Sequence, residues 1–475
     1  MGLITSVICV FLFIYFIYNV AKHLLLRRRL KKINSPRSYP LIGHASIMKP
    51  DAEGFINQVM GMGYLYPDAP RMVLFWMGTM PVLMLYSAPL VEKILTSNKH
   101  LGKGFAYNLL EPWLGQGIIT SSVDNWRPKR KLLTPTFHYD MLKDFVPIFN
   151  EQSRILVRKL ANLPKKYLFG HFKYFKVSFS SKINLSREPV ELLSLITLCG
   201  LDIICETSMG RTINAQLDKE SDYVWAVHTI NDLVISERRE ELEEGGWRFN
   251  GRLAFLDLML DLARQGLLDP TDIHSQLRPV DTLMFAGHDT TSTGASWALY
   301  LLGCYPEIQR KAQAEIDEVL GENDYVTVEH LPYLKYLECC LKESLRIYPS
   351  VPMIMRELNE DQEIEGVIVP KGTQLVINQF LVHRDPTYWQ DPEDFNPDRF
   401  LPENAVGRHA FAFIPFSAGS RNCMGQRFAM MEEKVIVSWV LRHFNMRSKV
   451  GIILRPTDGI HVVLERRRPL LYPDF

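Results

Sequence analysis

The chain has 475 residues, a net charge of +1 and 47% hydrophobic residues. This is the composition of a globular protein with a large core, and near-neutral charge excludes nucleic acid as the main partner. Seven cysteines at irregular spacings, with Cys339 and Cys340 adjacent, do not form a disulfide framework and point to a reducing compartment.

The first element is Leu3–Ala21, LITSVICVFLFIYFIYNVA, which is almost wholly apolar. It is long enough to cross a bilayer as one helix. KHLLLRRRLKK follows, and by the positive-inside rule this basic flank stays cytoplasmic. A cleaved signal peptide is the alternative, but its apolar core is usually shorter and ends in small residues. INSPRSYPLIGH then supplies Pro36, Pro40 and Gly43, a stiff hinge. The expected organisation is a membrane anchor over 1–21, a basic and proline-rich hinge over 22–44, and one large domain over 45–475.

Two apolar runs around Gly78-Thr79-Met80-Pro81 predict a β-hairpin, and PLVEKILTSN predicts a helix after it. Trp126 and Arg130 lie four apart on one helical face, with Pro128 expected in the first turn. By themselves they are equally compatible with an exposed cation–π pair. KKYLFGHFKYFKVSFSSKIN (Lys165–Asn184) is basic and aromatic without periodicity, and reads as a poorly ordered insertion or a membrane-adhesive one.

VDTLMFAGHDTTSTGASWALYLLGCYP predicts a long apolar helix interrupted by polar residues. Burying Asp289, Thr290 and Thr291 costs free energy unless each is hydrogen-bonded. A mid-helix threonine can bond the carbonyl one turn back and loosen the ladder. With Ala286 and Gly287 leaving space, the knot offers room for O2 and a proton relay. A glycine-kinked core helix facing water is the plainer alternative. Further on, CLKESLRIYP puts Glu343 and Arg346 on one helix face, an arrangement that is often no more than a surface ion pair.

PFSAGSRNCMGQRFA, residues 415–429, carries a lone cysteine, Cys423, among glycines and arginines. Phe428, Met431, Val435 and Trp439 then recur at helical spacing. A cysteine just before a helix meets the positive end of its dipole, which favours thiolate. No second ligand lies nearby in the sequence, which disfavours zinc. One thiolate with an open coordination site fits haem iron, with Arg421 placed to meet a propionate; a buried free cysteine is the alternative.

The pattern Phe416-x-x-Gly419-x-Arg421-x-Cys423-x-Gly425 resembles the haem-binding loop of the cytochrome P-450 superfamily. Nearly everything after the anchor is similar to that family, in the expected order. LLTPTFH, LITLCGLDIICETSMG, GHDTT and RNCMGQRFAMMEEK resemble family 4, the fatty-acid ω-hydroxylase-like branch. The resemblance implies a mainly α fold with a small β portion, and a haem b held through Cys423. It implies that Trp126, Arg130 and Arg356 bind propionates. Ala286, Gly287, Asp289 and Thr290 would belong to the oxygen-activating motif, with Asp289 and Thr290 delivering protons. Glu343, Arg346 and the Arg399 of FNPDRF would form a buried structural network, and Val351–Met355 would line the substrate pocket.

Implied too are an endoplasmic-reticulum location, an apolar substrate, and electrons from NADPH through a flavoprotein reductase, with cytochrome b5 a second candidate donor. Lys129, Lys131 and Arg427 are candidates for a docking face, and equally for scattered solvated charge.

Two departures stand out. Ala286 occupies the place where several family 4 members carry a glutamate esterified to haem, so no ester link is expected. Tyr223–Arg239 is too short for two long helices, so the F–G region that roofs the substrate channel is expected to be shortened and the haem cleft open on that side. The expectation is a haem-thiolate monooxygenase. A peroxide-using or isomerase enzyme is disfavoured by the Asp289–Thr290 pair, and a non-catalytic haem protein is suggested by the short roof.

Overall fold

Apolar alternation and helical spacing determine where strands and helices form in this chain, and the structure, a computed structural model, describes residues 2–68, 70–163, 189–217, 238–244, 254–265, 273–448 and 459–467. The fold is mainly helical with small sheets. The chain divides into two units.

The first unit comprises Met1–Pro112, Val351–Glu393 and Gly407–Cys423. Its centre is a four-stranded sheet in the order Met72–Met77, Met80–Leu85, Gln374–Asn378, Met353–Glu357. The expected hairpin forms, with Met77 opposite Met80 across Gly78 and Thr79. Gly78 takes the left-handed conformation, φ +62°, that glycine adopts at no steric cost. Helices α2 (Ala52–Leu65) and α3 (Ala88–Leu95) flank the hairpin in sequence. Asp51 caps α2 by accepting the Gly54 N–H at 2.6 Å, and α3 buries Leu90, Val91, Ile94 and Leu95. The core of this unit includes Val73, Leu74, Leu83, Leu85 and Leu375.

The N-terminal apolar helix, α1 (Gly2–Arg29), is long and apolar enough to cross a membrane. Its outer part is exposed, from Ile4 to Tyr18. Its other end docks on the sheet: His23 and Leu30 are buried, and the His23 ring meets Trp76 edge-on at 5.0 Å. The Arg27 guanidinium lies 5.1 Å from the centre of the same indole and donates to the Tyr39 carbonyl at 3.1 Å. Arg29 pairs with Asp361 at 2.7 Å, and the Leu74 N–H donates to the Asn34 carbonyl at 2.8 Å.

The second unit comprises Trp113–Ser350, Asp394–Val406 and Met424–Phe475. Its helices are α4 (Val123–Leu133), α5 (Val146–Ala161), α6 (Leu192–Ile204), α7 (Phe255–Arg264), α8 (Ile273–Cys304), α9 (Pro306–Leu320), α10 (Lys335–Ile347) and α11 (Gln426–His443). The long helix α8 packs against α6, α10 and α11. Phe428, Met431, Val435 and Trp439 of α11 are all buried, as their spacing predicts. Leu192–Met209 would also be apolar enough for a membrane, but 67% of it lies inside this core. A three-stranded sheet, Val190–Glu191, His461–Arg466, Phe444–Arg447, completes the unit.

Pro128 differs from expectation. It lies inside α4 rather than in its first turn. A proline there removes one i→i−4 hydrogen bond, and the helix continues past it to Leu133. The insertion over 165–184 lies outside the described residues. Most of 223–239, the shortened region, does too; its last two residues begin a short helix, 238–244, where Arg238 Nε bonds Asp257 Oδ1 at 2.7 Å.

Two adjacent carboxyls on α11, Glu432 and Glu433, are almost wholly buried. Gly294 of α8 makes room for the second: a Cβ there would sit 2.3 Å from Glu433 Oε1. Burial pushes the Glu433 carboxyl up from 4.5 to about 8. A folded-state value above the unfolded one means that the unfolded chain holds fewer protons across this window. Stability from the neutral carboxyl is full below about pH 4.5 and is lost as pH rises through about 8. Glu433→Gln is therefore expected to raise the thermal midpoint at pH 8.5 by the equivalent of about 1–3 kcal/mol, and far less at pH 5. Thermal melts at both pH values check this; equal effects would exclude the carboxyl as the cause.

Candidate active site

The loop Phe416–Cys423 is closed by its own backbone. The Cys423 N–H donates to the Phe416 carbonyl at 2.9 Å and the Asn422 N–H to Gly419 at 3.1 Å. Gly419 has φ +71°, and a Cβ on it would lie 1.8 Å from the Leu95 carbonyl oxygen at the end of α3. No other residue fits there without moving backbone. The Cys423 side chain is exposed, three residues ahead of the start of α11.

Below this loop in the same unit lies a cluster of cations. On the strand Met353–Glu357 the inward positions are Ile354 and Arg356, so a guanidinium takes a place suited to an aliphatic side chain. Arg356 is 2% exposed and Arg421 8%. Burial lowers the affinity of both for their protons; for Arg421, with Arg356 adding repulsion, the value falls to about 10. Lys103 and Tyr107 belong to the same cluster, and no motif in the sequence marks them.

In the second unit, α8 carries a polar segment of its own. Thr290 Oγ1 donates to the Ala286 carbonyl at 2.6 Å, and Thr291 Oγ1 to Gly287 at 2.8 Å. Ser350 Oγ donates to the Thr290 carbonyl at 2.8 Å, so this turn has extra partners for its carbonyls. The Asp289 side chain is exposed, whereas His288 is buried and burial pushes its pKa down. The space beside Gly287 is not open: a Cβ there would meet Ile204 Cδ1 at 2.5 Å. Gly200 on α6 does the same from the other side, since its Cβ would lie 2.4 Å from Ser292 Oγ. The two glycines let α6 and α8 pack closely; Gly287 forms a helix–helix groove rather than a gap for a gas molecule. Trp126 is buried on α4, with Arg130 one turn further on and half-buried.

Glu343, Arg346 and Arg399 are brought together. Arg346 makes a two-point contact with Glu343, Nε to Oε2 at 2.7 Å and Nη2 to Oε1 at 2.8 Å, with both side chains 0% exposed. Arg399 Nε lies 3.3 Å from Glu343 Oε1. The Asn396 N–H donates to the same oxygen at 2.9 Å, and Arg346 also donates to the Asp394 carbonyl at 3.1 Å. A buried charge pair is tolerated when hydrogen bonds fill its remaining positions, as here.

These residues fit a flat dianionic cofactor with one thiolate ligand: an exposed thiol, a glycine cradle and buried cations near the same loop. The chain belongs to the cytochrome P450 family, whose description matches residues 34–238 and 232–471. It is therefore a monooxygenase of the haem-thiolate class. Cytochrome P450 4V2 of Homo sapiens is 43% identical to it, covering 91% of this chain and 89% of its own length. Cytochrome P450 4c3 of Drosophila melanogaster is 39% identical, covering 95% and 92%. Cytochrome P450 4c21 of Blattella germanica is 35% identical, covering 93% and 94%.

Gly419→Ala is expected to abolish stable haem loading, because it adds a clash with Leu95 O to a left-handed strain of about 1–2 kcal/mol. Haem-to-protein ratio after purification checks it, with circular dichroism to show that the helices remain.

Proposed function

We propose that this chain inserts one atom of O2 into a C–H bond of a long apolar substrate, a fatty acid or similar lipid, while the other atom leaves as water. The observation that carries the reading is Cys423, an exposed thiol on a loop fastened by its own N–H to Phe416. Cys423 would supply the thiolate ligand, and Arg421, Arg356, Trp126 and Arg130 would hold the haem carboxylates, with Phe416, Gly419 and Gly425 shaping the loop. When bound, haem supplies the oxygen-activating redox chemistry, and a thiolate ligand favours O–O cleavage. Ala286 offers no carboxyl for an ester, so the cofactor is held noncovalently apart from the iron–sulfur bond.

The protein's part is to move protons and exclude water. Asp289, exposed on α8, takes protons from solvent. Thr290 would hold and pass on such a proton at its hydroxyl, which rests on the Ala286 carbonyl. Electrons come from NADPH through a flavoprotein reductase, with cytochrome b5 as a second donor, at the cytoplasmic face of the endoplasmic reticulum. Lys131 and Arg427 are exposed and available for docking, whereas Lys129 already donates to the Gln116 carbonyl. A second reading, haem binding without turnover, is favoured by the short stretch 223–239; NADPH-driven product formation separates the two.

Cys423→Ser is expected to lose both the thiolate-type carbonyl spectrum and monooxygenase activity; a variant that keeps both removes Cys423 as the ligand. Thr290→Ala is expected to bind haem normally and to consume NADPH, but to release more hydrogen peroxide per product formed. Unchanged coupling between NADPH and product would exclude Thr290 from proton delivery.

A further inference from the structure

Thr290 is held from two sides. Its hydroxyl donates to the Ala286 carbonyl at 2.6 Å, and its own carbonyl accepts the Ser350 hydroxyl at 2.8 Å. The donor of the second bond comes from another element, 60 residues further along the chain. Inside an α-helix a carbonyl ordinarily serves the N–H four residues on, so Ser350 takes its second lone pair.

Ser350 reaches α8 because the end of α10 is laid along it, within the second unit. A Cβ on Gly294 would lie 3.5 Å from Leu345 Cδ2, and the Tyr348 ring stacks on Trp297 with centroids 4.1 Å apart and 25° between the planes. Residues 290, 294 and 297 follow at four- and three-residue spacing, so they share one face of α8. Leu345 and Tyr348 supply packing to that face, whereas Ser350 bonds the main chain of one residue. The helix they come from is itself fixed, since Arg346 and Glu343 of α10 pair at 2.7 Å with no exposed surface on either side chain. The Ser350 hydroxyl therefore extends from a rigid support.

The consequence falls on the Thr290 side chain. One Cα carries both the tethered carbonyl and the hydroxyl-bearing side chain, so holding the first restricts the second. Threonines 290 and 291 both bond back to carbonyls of the preceding turn, which loosens the ladder there. A loosened turn keeps a hydroxyl in one place only with help from outside it. Misplacing a reacting group by about 1 Å costs about a hundredfold in rate.

We propose that Ser350 is a positioning residue for proton delivery: its bond to the Thr290 carbonyl holds the Thr290 hydroxyl where it serves the reaction. In this role Ser350 passes no proton and acts through Thr290 alone. The inference rests on the monooxygenase reading above and on the part given there to Thr290.

The test uses the haem-loaded full chain with laurate, NADPH and a flavoprotein reductase. Ser350→Ala removes the hydroxyl and Ser350→Thr keeps it. Ser350→Val has the shape of Ser350→Thr without the hydroxyl, so comparing those two reads the bond alone even where Ser350→Ala lowers stability. Hydrogen peroxide released per product formed is measured, together with deuterium uptake in the peptide spanning 286–294. Loss of one net hydrogen bond is expected to speed that uptake about threefold to tenfold and to raise peroxide per product by a similar factor. Ser350→Thr is expected to resemble wild type in both. Added to Thr290→Ala, Ser350→Ala is expected to raise peroxide no further, because the two act at one point. Unchanged peroxide in Ser350→Ala and Ser350→Val overturns the proposal, even where uptake quickens, and leaves the monooxygenase reading intact. An equal rise on the Thr290→Ala background overturns it too, since Ser350 then acts by another route. Loss of the thiolate-type carbonyl spectrum in both Ser350→Ala and Ser350→Val makes the residue structural and has the same result. A wild-type chain that makes no product from laurate overturns the reading beneath and this one with it.

Discussion

The second unit is built around a buried carboxylate, Glu343. It has no exposed surface, yet it holds a charge, and Arg346, Arg399 and the Asn396 N–H supply its compensation. Removing one partner would leave an uncompensated buried ion, which costs about 3–5 kcal/mol. The consequence is positional: the segment Asp394–Val406 is fixed to α10.

The charges inside this protein are of two kinds. Glu343 and Arg346 are neutralised within the fold and need nothing further. Lys434 is similar, donating to the Leu331 carbonyl at 2.9 Å and to Glu338 at 2.7 Å. Arg356 and Lys103 instead repel one another, and among the described residues no acidic side chain forms an ion pair with either. Cations gathered in this way differ from the Glu343 network in lacking an internal counterion, the arrangement an anion-binding site has.

Much of this was legible in the residues. The hairpin follows from two apolar runs around a glycine, and the buried face of α11 from four apolar residues at helical spacing. The Glu343 network and the Cys423 loop were legible through spacing and motif. What was not legible depends on contacts between distant segments. Pro128 inside α4 contradicts local propensity, because the rest of the helix supports the turn it weakens. The groove at Gly287 cannot be seen without knowing that Ile204 fills it. Lys103 is ordinary in sequence; only the glycines on either side hinted that its backbone must press against something. Glu432 and Glu433 look like the polar face of a helix until their burial is known.

The docking of α1 has a mechanical consequence. A rod of 28 residues is about 42 Å long, and its last turns are fastened to the hairpin through His23, Arg27 and Leu30. There is no slack between the apolar rod and the sheet. In a bilayer, any change in the tilt of the rod becomes a rotation of the first unit by the same angle. A thicker or thinner hydrocarbon layer changes that tilt. In such a bilayer the lipid around the rod would set the attitude of this unit toward the membrane surface, as a keel sets the attitude of a hull.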